Sequence, residues 1–124
     1  MIRVIVAGSR DFSNYSLVKS TLLKYFKEKS LHHQDVEIIS GTARGADSLG
    51  EKFANEKNCK LVKFPADWNQ YGKSAGYKRN CQMANYAKEE NGILFAFWDG
   101  ESRGTKMMID IANKENLEVH VISI

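Results

Sequence analysis

Hydrophobic positions alternate along the chain between short apolar runs and longer stretches in which apolar residues recur at helical spacing. The apolar runs predict five strands, at residues 2–7, 36–39, 60–64, 93–97 and 118–122. The helical spacing predicts four helices, at about 15–29, around 46–54, about 75–89 and around 107–112. The last helix has a predicted inner face of Met107, Met108, Ile111 and Ala112. Residues 65–74 carry neither pattern and are predicted to be irregular.

Strands that alternate with helices favour a parallel sheet, because parallel strands need crossover connections. The sequence therefore predicts an α/β fold, a doubly wound parallel five-stranded sheet with helices on both faces. The run 93–97 is too apolar for a half-exposed strand and is predicted to be central. If the strands lie in the order 3-2-1-4-5, a ligand is expected outside their carboxyl ends, between the first and fourth strands.

Length and composition narrow the protein class. The 124 residues fit one domain spanning 1–124. The net charge of +3 is too small to predict a nucleic-acid partner by itself. Cys59 and Cys81 lie far apart without metal-ligand spacing, which favours free thiols in a cytoplasmic protein and predicts no metal site. No signal-peptide pattern and no apolar run of about 18 residues occurs, so we expect no membrane partner.

Four polar, glycine-bearing regions follow the predicted strands. The first contains Gly8, Ser9 and Arg10. A glycine after a buried strand permits a tight turn whose amides face an anion, and an arginine adds a bidentate phosphate contact. The alternative is a strand terminator with a surface Arg–Asp pair. We favour the binding role because this loop borders the expected crevice.

The second loop runs from strand into helix and contains Gly41, Thr42, Arg44 and Gly45. Amides, hydroxyls and a cation before a helix N-terminus are typical of an anion site. The loop is neither a Walker A sequence nor a G-x-G-x-x-G dinucleotide loop. Asp47, in the first helical turn, suits capping or complementing the helix dipole better than catalysis.

The third region combines Trp68 with cations and with Arg79 and Asn80 at the start of the third helix. An aromatic ring beside cations suits a stacked base with a phosphate nearby, whereas the equal alternative is that Trp68 packs into the core. In the fourth region, Gly104 and Thr105 open the last helix and offer amides and a hydroxyl to an anion. There the alternative makes Ser102 or Thr105 a plain N-cap.

Together these regions resemble a known family. The chain is similar to the small YspA/YpsA-related branch of the SLOG superfamily, which also includes the LOG phosphoribohydrolases and the DNA-processing protein DprA. The motifs that carry this resemblance are Ala7–Phe12, Gly41–Asp47, Pro65–Trp68, Gly76–Asn80 and Gly104–Thr105. The resemblance covers almost the whole chain, and it implies a Rossmann-like fold and binding of nucleotides or nucleotide-derived signals.

One departure bears on catalysis. The LOG enzymes carry a Gly-Gly-x-Gly-Thr-x-x-Glu pattern with a catalytic Glu, and Met108 takes that position here. Asp110 lies about 200° further round the helix and does not substitute. Arg79 resembles the family's catalytic arginine and is the candidate catalytic residue, without its expected carboxylate. The carboxylates that remain as candidates are in loops, at Asp11, Asp47, Asp67, Asp99 and Glu101.

The sequence thus predicts a sensor or processing domain that binds a nucleotide-like small molecule and needs no cofactor. Catalysis is left open, with a negative leaning. One alternative is a LOG-like phosphoribohydrolase that cleaves the N-glycosidic bond of nucleoside monophosphates. The other is a DprA-like single-stranded nucleic-acid binder, which the modest charge disfavours. The identity of the ligand stays open, as does assembly into a homo-oligomer.

Overall fold

Five strands and five helices make up the computed structural model, which describes all of residues 1–124. The strands are β1 (Ile2–Gly8), β2 (Val36–Ser40), β3 (Lys60–Lys63), β4 (Gly92–Trp98) and β5 (Glu118–Ser123). The helices are α1 (Tyr15–Glu28), α2 (Ala46–Lys57), α3 (Trp68–Tyr71), α4 (Ala75–Lys88) and α5 (Arg103–Lys114). None of these helices has the length and apolar character needed to cross a membrane.

All five strands are parallel and lie in the order β3-β2-β1-β4-β5, as predicted. β1 is the middle strand, where Val4 pairs with Ile38 of β2 on one side and Ile93 of β4 on the other. The chain leaves β1 towards β2 and later returns beside β1 as β4. The strand order therefore reverses between β1 and β4, where a doubly wound sheet opens a crevice at its carboxyl edge.

Apolar side chains on both faces of the sheet form two cores. On one face, Val4, Val6 and Phe95 belong to a cluster that packs against α1 and α2. On the other, Ile5 and Leu94 belong to a cluster that packs against α4 and α5. Successive residues of β1 thus enter opposite cores. Residues Ile93 to Phe97 are buried throughout, which confirms that β4 is an interior strand.

The structure differs from the prediction at two helices. Residues 65–74 contain α3 and a 3₁₀ turn, because the Asp67 carboxylate caps α3 by accepting a 3.1 Å hydrogen bond from the Gln70 amide. In α5 the buried positions are Thr105, Met108, Ile109 and Ala112. The predicted inner-face residues Met107 and Ile111 are only half-buried, because they line a cleft beside Trp98.

Candidate functional site

The loops that follow β1, β2 and β4 meet the start of α4 around a cavity of about 600 Å³, here called the central cavity. A neighbouring pocket of about 310 Å³, here called the arginine pocket, shares Arg10, Trp68 and Arg79 with it. Both open at the carboxyl end of the sheet, where the strand order predicts a ligand crevice.

Twelve of the thirteen predicted site residues line these two spaces. Those that line the central cavity are Gly8, Ser9, Arg10, Asp47, Trp68, Arg79, Asn80, Gly104 and Thr105. Those found only in the arginine pocket are Gly41, Thr42 and Arg44. The structure therefore brings residues from four separate chain segments to one place.

Gly45 is the predicted residue that lines neither space. It has φ +80°, and a Cβ there would lie 2.2 Å from the Ser9 carbonyl oxygen. The next amide, of Ala46, donates a 3.3 Å hydrogen bond to that same oxygen. Gly45 therefore fits the second loop against the first, and glycine is the residue that can take this place.

Arg79 is half-buried between the start of α4 and the loop after β2. Its Nη1 donates a hydrogen bond to the Gly41 carbonyl oxygen, and its Nε donates one of 2.9 Å to Asn80 Oδ1. Burial lowers the pKa of Arg79, although an arginine stays charged at neutral pH. Two hydrogen bonds thus fix the direction of a cation that faces the cavity.

Asp47 does more than complement the dipole of α2. Its carboxylate is 6% exposed, and Oδ2 accepts a 3.2 Å hydrogen bond from the Ala43 amide, which lies in the loop before the helix. Burial raises the pKa of Asp47 to about 6, although the Ala43 hydrogen bond and the charge of Arg79 act in the opposite direction. The carboxylate therefore orders the second loop and stands beside Arg79.

Trp68 packs on the first turn of α4, the third predicted helix, but it does not close the core, so that part of the alternative is wrong. The side chain is 55% exposed, and its Cη2 lies 3.7 Å from the position that a Cβ on Gly76 would occupy. The indole therefore covers the first turn of α4 and borders both the central cavity and the arginine pocket.

The start of α5 is built around a serine cap. Ser102 Oγ accepts a 3.4 Å hydrogen bond from the Thr105 amide and lies 3.1 Å from Thr105 Oγ1. Thr105 is only 4% exposed, so its side chain is buried in the wall of the cavity. The Gly104 amide has no acceptor within the protein and lines the central cavity. An unpaired amide at a helix N-terminus is a donor for an anion.

The position of the LOG-type glutamate lies in the wall of the same cavity. Met108 is 1% exposed and lines the space with its thioether side chain. Asp110 is exposed and pairs with Lys106 at 3.0 Å, away from the central cavity. The carboxylate whose charge acts on Arg79 is that of Asp47, from another loop, and it opposes the lowering of that arginine's pKa by burial.

Several lining residues were not among the predicted ligand-binding residues. Tyr77 is 51% exposed at the cavity edge, and Asp99 and Glu101 also line the cavity. Asp99 Oδ1 accepts 2.8 Å hydrogen bonds from the amides of Ser102 and Glu101, and these lower the pKa of Asp99. The sequence Asp99-Gly100 after an apolar strand predicts a turn at this position. No sequence pattern singles out Tyr77.

The chain is similar to a phage protein in sequence and to a DNA-processing protein in fold. The chain is 29% identical over 126 residues to the Gene 61 protein of Mycobacterium phage D29, across 96% of this chain and 94% of that protein. The X-ray structure of DNA processing protein A (DprA) from Streptococcus pneumoniae superposes with a TM-score of 0.71 at 16% identity. That match covers 97% of this chain and 49% of the DprA chain, so this chain spans about half of DprA, and the likeness is one of fold.

A family assignment follows from the first half of the chain. Residues 2–71 match the family described as YAcAr, the YspA, cpYpsA-related SLOG family. The matched range contains β1 to α3 and therefore the first two loops of the site together with Trp68. With more than half of its residues in the match, and with a Rossmann-like doubly wound sheet, this chain belongs to the YspA, cpYpsA-related SLOG family.

Proposed function

We propose that this protein binds a nucleotide or nucleotide-derived small ligand in the central cavity, with a phosphate held by arginines. One observation carries the proposal: Arg10 and Arg79, from two distant segments, line the same 600 Å³ space as the unpaired Gly104 amide. Membership of the SLOG family supports a nucleotide-derived ligand.

The arginine pocket supplies the chemistry for a phosphate. Arg10, Arg44 and Arg79 line its 310 Å³ together with backbone of the second loop. Guanidinium groups form bidentate, charge-assisted hydrogen bonds with phosphate oxygens. Arg44 has only a 3.7 Å contact with the exposed carboxylate of Asp11, which a phosphate can replace.

Exposed aromatic rings supply the chemistry for a base. Trp68 and Tyr77 line the central cavity with about half of each side chain open to solvent. Large exposed aromatic groups at a cavity edge give a flat apolar surface on which a nucleobase stacks. A ligand with a phosphate at one end and a base at the other matches this distribution of groups.

Thermal denaturation against AMP, ADP-ribose, NAD and cyclic nucleotides tests the proposal. A ligand that binds the native state at 100 times its Kd adds about 2.7 kcal/mol to stability, so at least one compound is expected to raise the melting temperature. No shift with any of these compounds at millimolar concentration would contradict the proposal.

Arg79→Ala locates the effect. The loss of a charge-assisted phosphate contact is expected to weaken binding by about 1.5–3 kcal/mol, roughly ten- to a hundredfold. Lys78→Ala is the matched control, because the Lys78 ammonium lies 4.9 Å from the Tyr71 ring centre and outside the central cavity. Equal affinity of the two variants would contradict the role of Arg79.

We further propose that release of the base is slow or absent. N-glycosidic cleavage needs a carboxylate to stabilise charge or activate water. The position of the LOG glutamate is a buried methionine, and the carboxylate beside Arg79, that of Asp47, comes from another loop and holds the Ala43 amide. Incubation with AMP followed by chromatography should show little free adenine. Turnover on the order of one per second would make the protein a phosphoribohydrolase instead.

Single-stranded nucleic acid is the second candidate ligand, favoured by the exposed rings of Trp68 and Tyr77 and by the DprA-like fold. We expect oligonucleotide affinity to be weak, to be independent of sequence, and to disappear as salt rises. It would come from the lysines of α1, which release counterions from the nucleic acid when they neutralise its phosphates. A complex with single-stranded DNA that persists at physiological salt and submicromolar protein would favour this candidate over the small ligand.

A further inference from the structure

The wall of the central cavity contains a carboxylate oxygen that the protein itself does not use. Asp47 is 6% exposed and lines the cavity, and its Oδ2 is engaged by the Ala43 amide. Its Oδ1 accepts no hydrogen bond from any group of the protein. Oδ1 is not among the fully buried unpartnered atoms of the protein, so it is accessible from the cavity. Its donor is therefore water or a ligand that occupies the cavity.

Asn80 offers the complementary group from α4. It is 5% exposed and lines the same cavity. Because Nε of Arg79 can only donate, the 2.9 Å contact between them directs Asn80 Oδ1 towards the arginine. This leaves Nδ2 as a donor without an acceptor in the protein. A free acceptor and a free donor therefore adjoin Arg79.

The surroundings of Gly41 show that Arg79 and Asp47 lie close to each other. A Cβ at this position would lie 2.9 Å from both Arg79 Nη1 and Asp47 Oδ2. The arginine and the carboxylate therefore approach one point of the second loop, from α4 and α2. A phosphate oxygen near this point would meet the arginine but be repelled by an ionised Asp47, so Asp47 suits a neutral hydrogen-bond donor.

We propose that Asp47 and Asn80 bind a hydroxyl group of the ligand's sugar, so that the site selects ribosyl phosphates over their deoxy counterparts. This inference rests on the proposed function, since it assigns the sugar end of the same ligand. A hydroxyl both donates and accepts, which matches a free carboxylate oxygen beside a free amide NH₂. At pH 7.5 a phosphate monoester is mainly a dianion whose oxygens only accept, so they do not satisfy Asp47 Oδ1.

The charges around Asp47 make this selectivity depend on pH. Arg79 faces it from α4, Arg10 from the loop after β1, and Glu51 from its own helix. Burial raises the pKa of Asp47 to about 6, so the carboxylate is ionised at pH 7.5 and mostly protonated at pH 5. The charge-assisted hydrogen bond from the sugar should weaken over that range. AMP and its deoxy forms carry the same 5′-phosphate, so the ratio of their affinities isolates the effect.

Calorimetric titration of AMP, 2′-deoxy-AMP and 3′-deoxy-AMP at pH 7.5 tests the inference. At least one deoxy compound is expected to bind about tenfold more weakly than AMP. In Asp47→Ala this difference should vanish, and in the wild type it should shrink at pH 5. Asp110→Asn, on the exposed face of α5, should keep the full difference.

The outcomes separate this inference from the proposed function. Equal binding of AMP and both deoxy compounds to the wild type would overturn the sugar contact and leave nucleotide binding intact. Asp47→Ala that weakens all three compounds equally would show that Asp47 only holds the loop, and would also overturn it. No binding of any of them would contradict both. If Asp47→Ala does not fold, Asp47→Asn keeps an acceptor for the Ala43 amide, and is expected to reduce the preference severalfold.

Discussion

Two carboxylates are buried at opposite ends of the sheet, Glu37 near the amino end of β2 and Asp47 beyond the carboxyl end. Glu37 accepts hydrogen bonds from Arg3 at 3.3 Å and from the Tyr86 hydroxyl, and Lys60 lies 3.8 Å away. Burial pushes the pKa of Glu37 upwards, but these partners outweigh it and the pKa is lowered. Asp47 has one backbone amide, and its pKa is raised.

The difference separates a charge that the protein pairs internally from one that faces a cavity. Around Glu37 every charge is used within the protein, since Arg3 also stacks 3.6 Å above the Tyr86 ring. Around Asp47 an arginine, an amide and a carboxylate oxygen remain available to the cavity. A protein keeps such under-paired buried groups at a cost in stability, which is typical of functional sites.

The largest expected effect comes from Glu37→Gln. Removing the charge of Glu37 leaves Arg3, with 13% of its side chain exposed, paired only with the exposed carboxylates of Glu89 and Glu90, so unfolding free energy should fall by about 3 kcal/mol. Urea denaturation measures the change. Glu89→Gln, which removes an exposed partner of the same arginine, should cost less than about 1 kcal/mol. Equal losses of unfolding free energy in the two variants would show that the buried Glu37–Arg3 pair stabilises the protein no more than the exposed Glu89–Arg3 pair does.

Asp47→Asn should act with the opposite sign. The folded-state pKa of Asp47 is raised, so its contribution to stability is present at low pH and is lost as pH rises through about 6. The uncharged asparagine avoids this loss and should stabilise the protein by about 2 kcal/mol at pH 8. The gain should fade between pH 6 and pH 4. Urea denaturation across this pH range that shows a loss of stability at pH 8 would make Asp47 a structural charge like Glu37.

A smaller effect is expected for Thr105→Val. The Thr105 hydroxyl is buried against Ser102 Oγ, so its removal should lower unfolding free energy by about 1 kcal/mol. It should also weaken ligand binding by about 1 kcal/mol, because the hydroxyl can no longer turn towards a phosphate. Ser20→Ala, which removes an exposed hydroxyl from α1, is the control and should leave both quantities unchanged within about 0.5 kcal/mol. An unfolding free energy of Thr105→Val equal to that of the wild type would contradict a stabilising role of the buried hydroxyl.

β4 is apolar throughout and β1 is apolar apart from Arg3, which indicates interior strands of a parallel sheet, and Gly8 at the end of β1 and Gly41 after β2 mark where these strands stop. The short helix α3 could not be predicted, because a four-residue helix has no periodicity and depends on the Asp67 cap. The inner face of α5 was misplaced because Met107 and Ile111 are apolar yet line a surface cleft.

The candidate site was predictable from loop position and could not be resolved into roles. Glycine-bearing loops after neighbouring parallel strands must meet, which is why most of the predicted residues line one cavity. Whether Gly45 faces a ligand or another loop depends on a 2.2 Å approach that no pattern encodes. Burial of Asp47 next to Arg79 likewise depends on how α2 and α4 pack.

The central claim is that the carboxyl end of the sheet, and no other surface, holds a nucleotide phosphate. Titration of ¹⁵N-labelled protein with AMP or ADP-ribose, followed by amide NMR shifts, tests it residue by residue. Saturable shifts are expected at the amides of Arg10, Ala43 and Gly104, with those of Val36 and Glu37 unchanged. Shifts confined to the lysine-bearing surface of α1, or none at millimolar nucleotide, would contradict the claim.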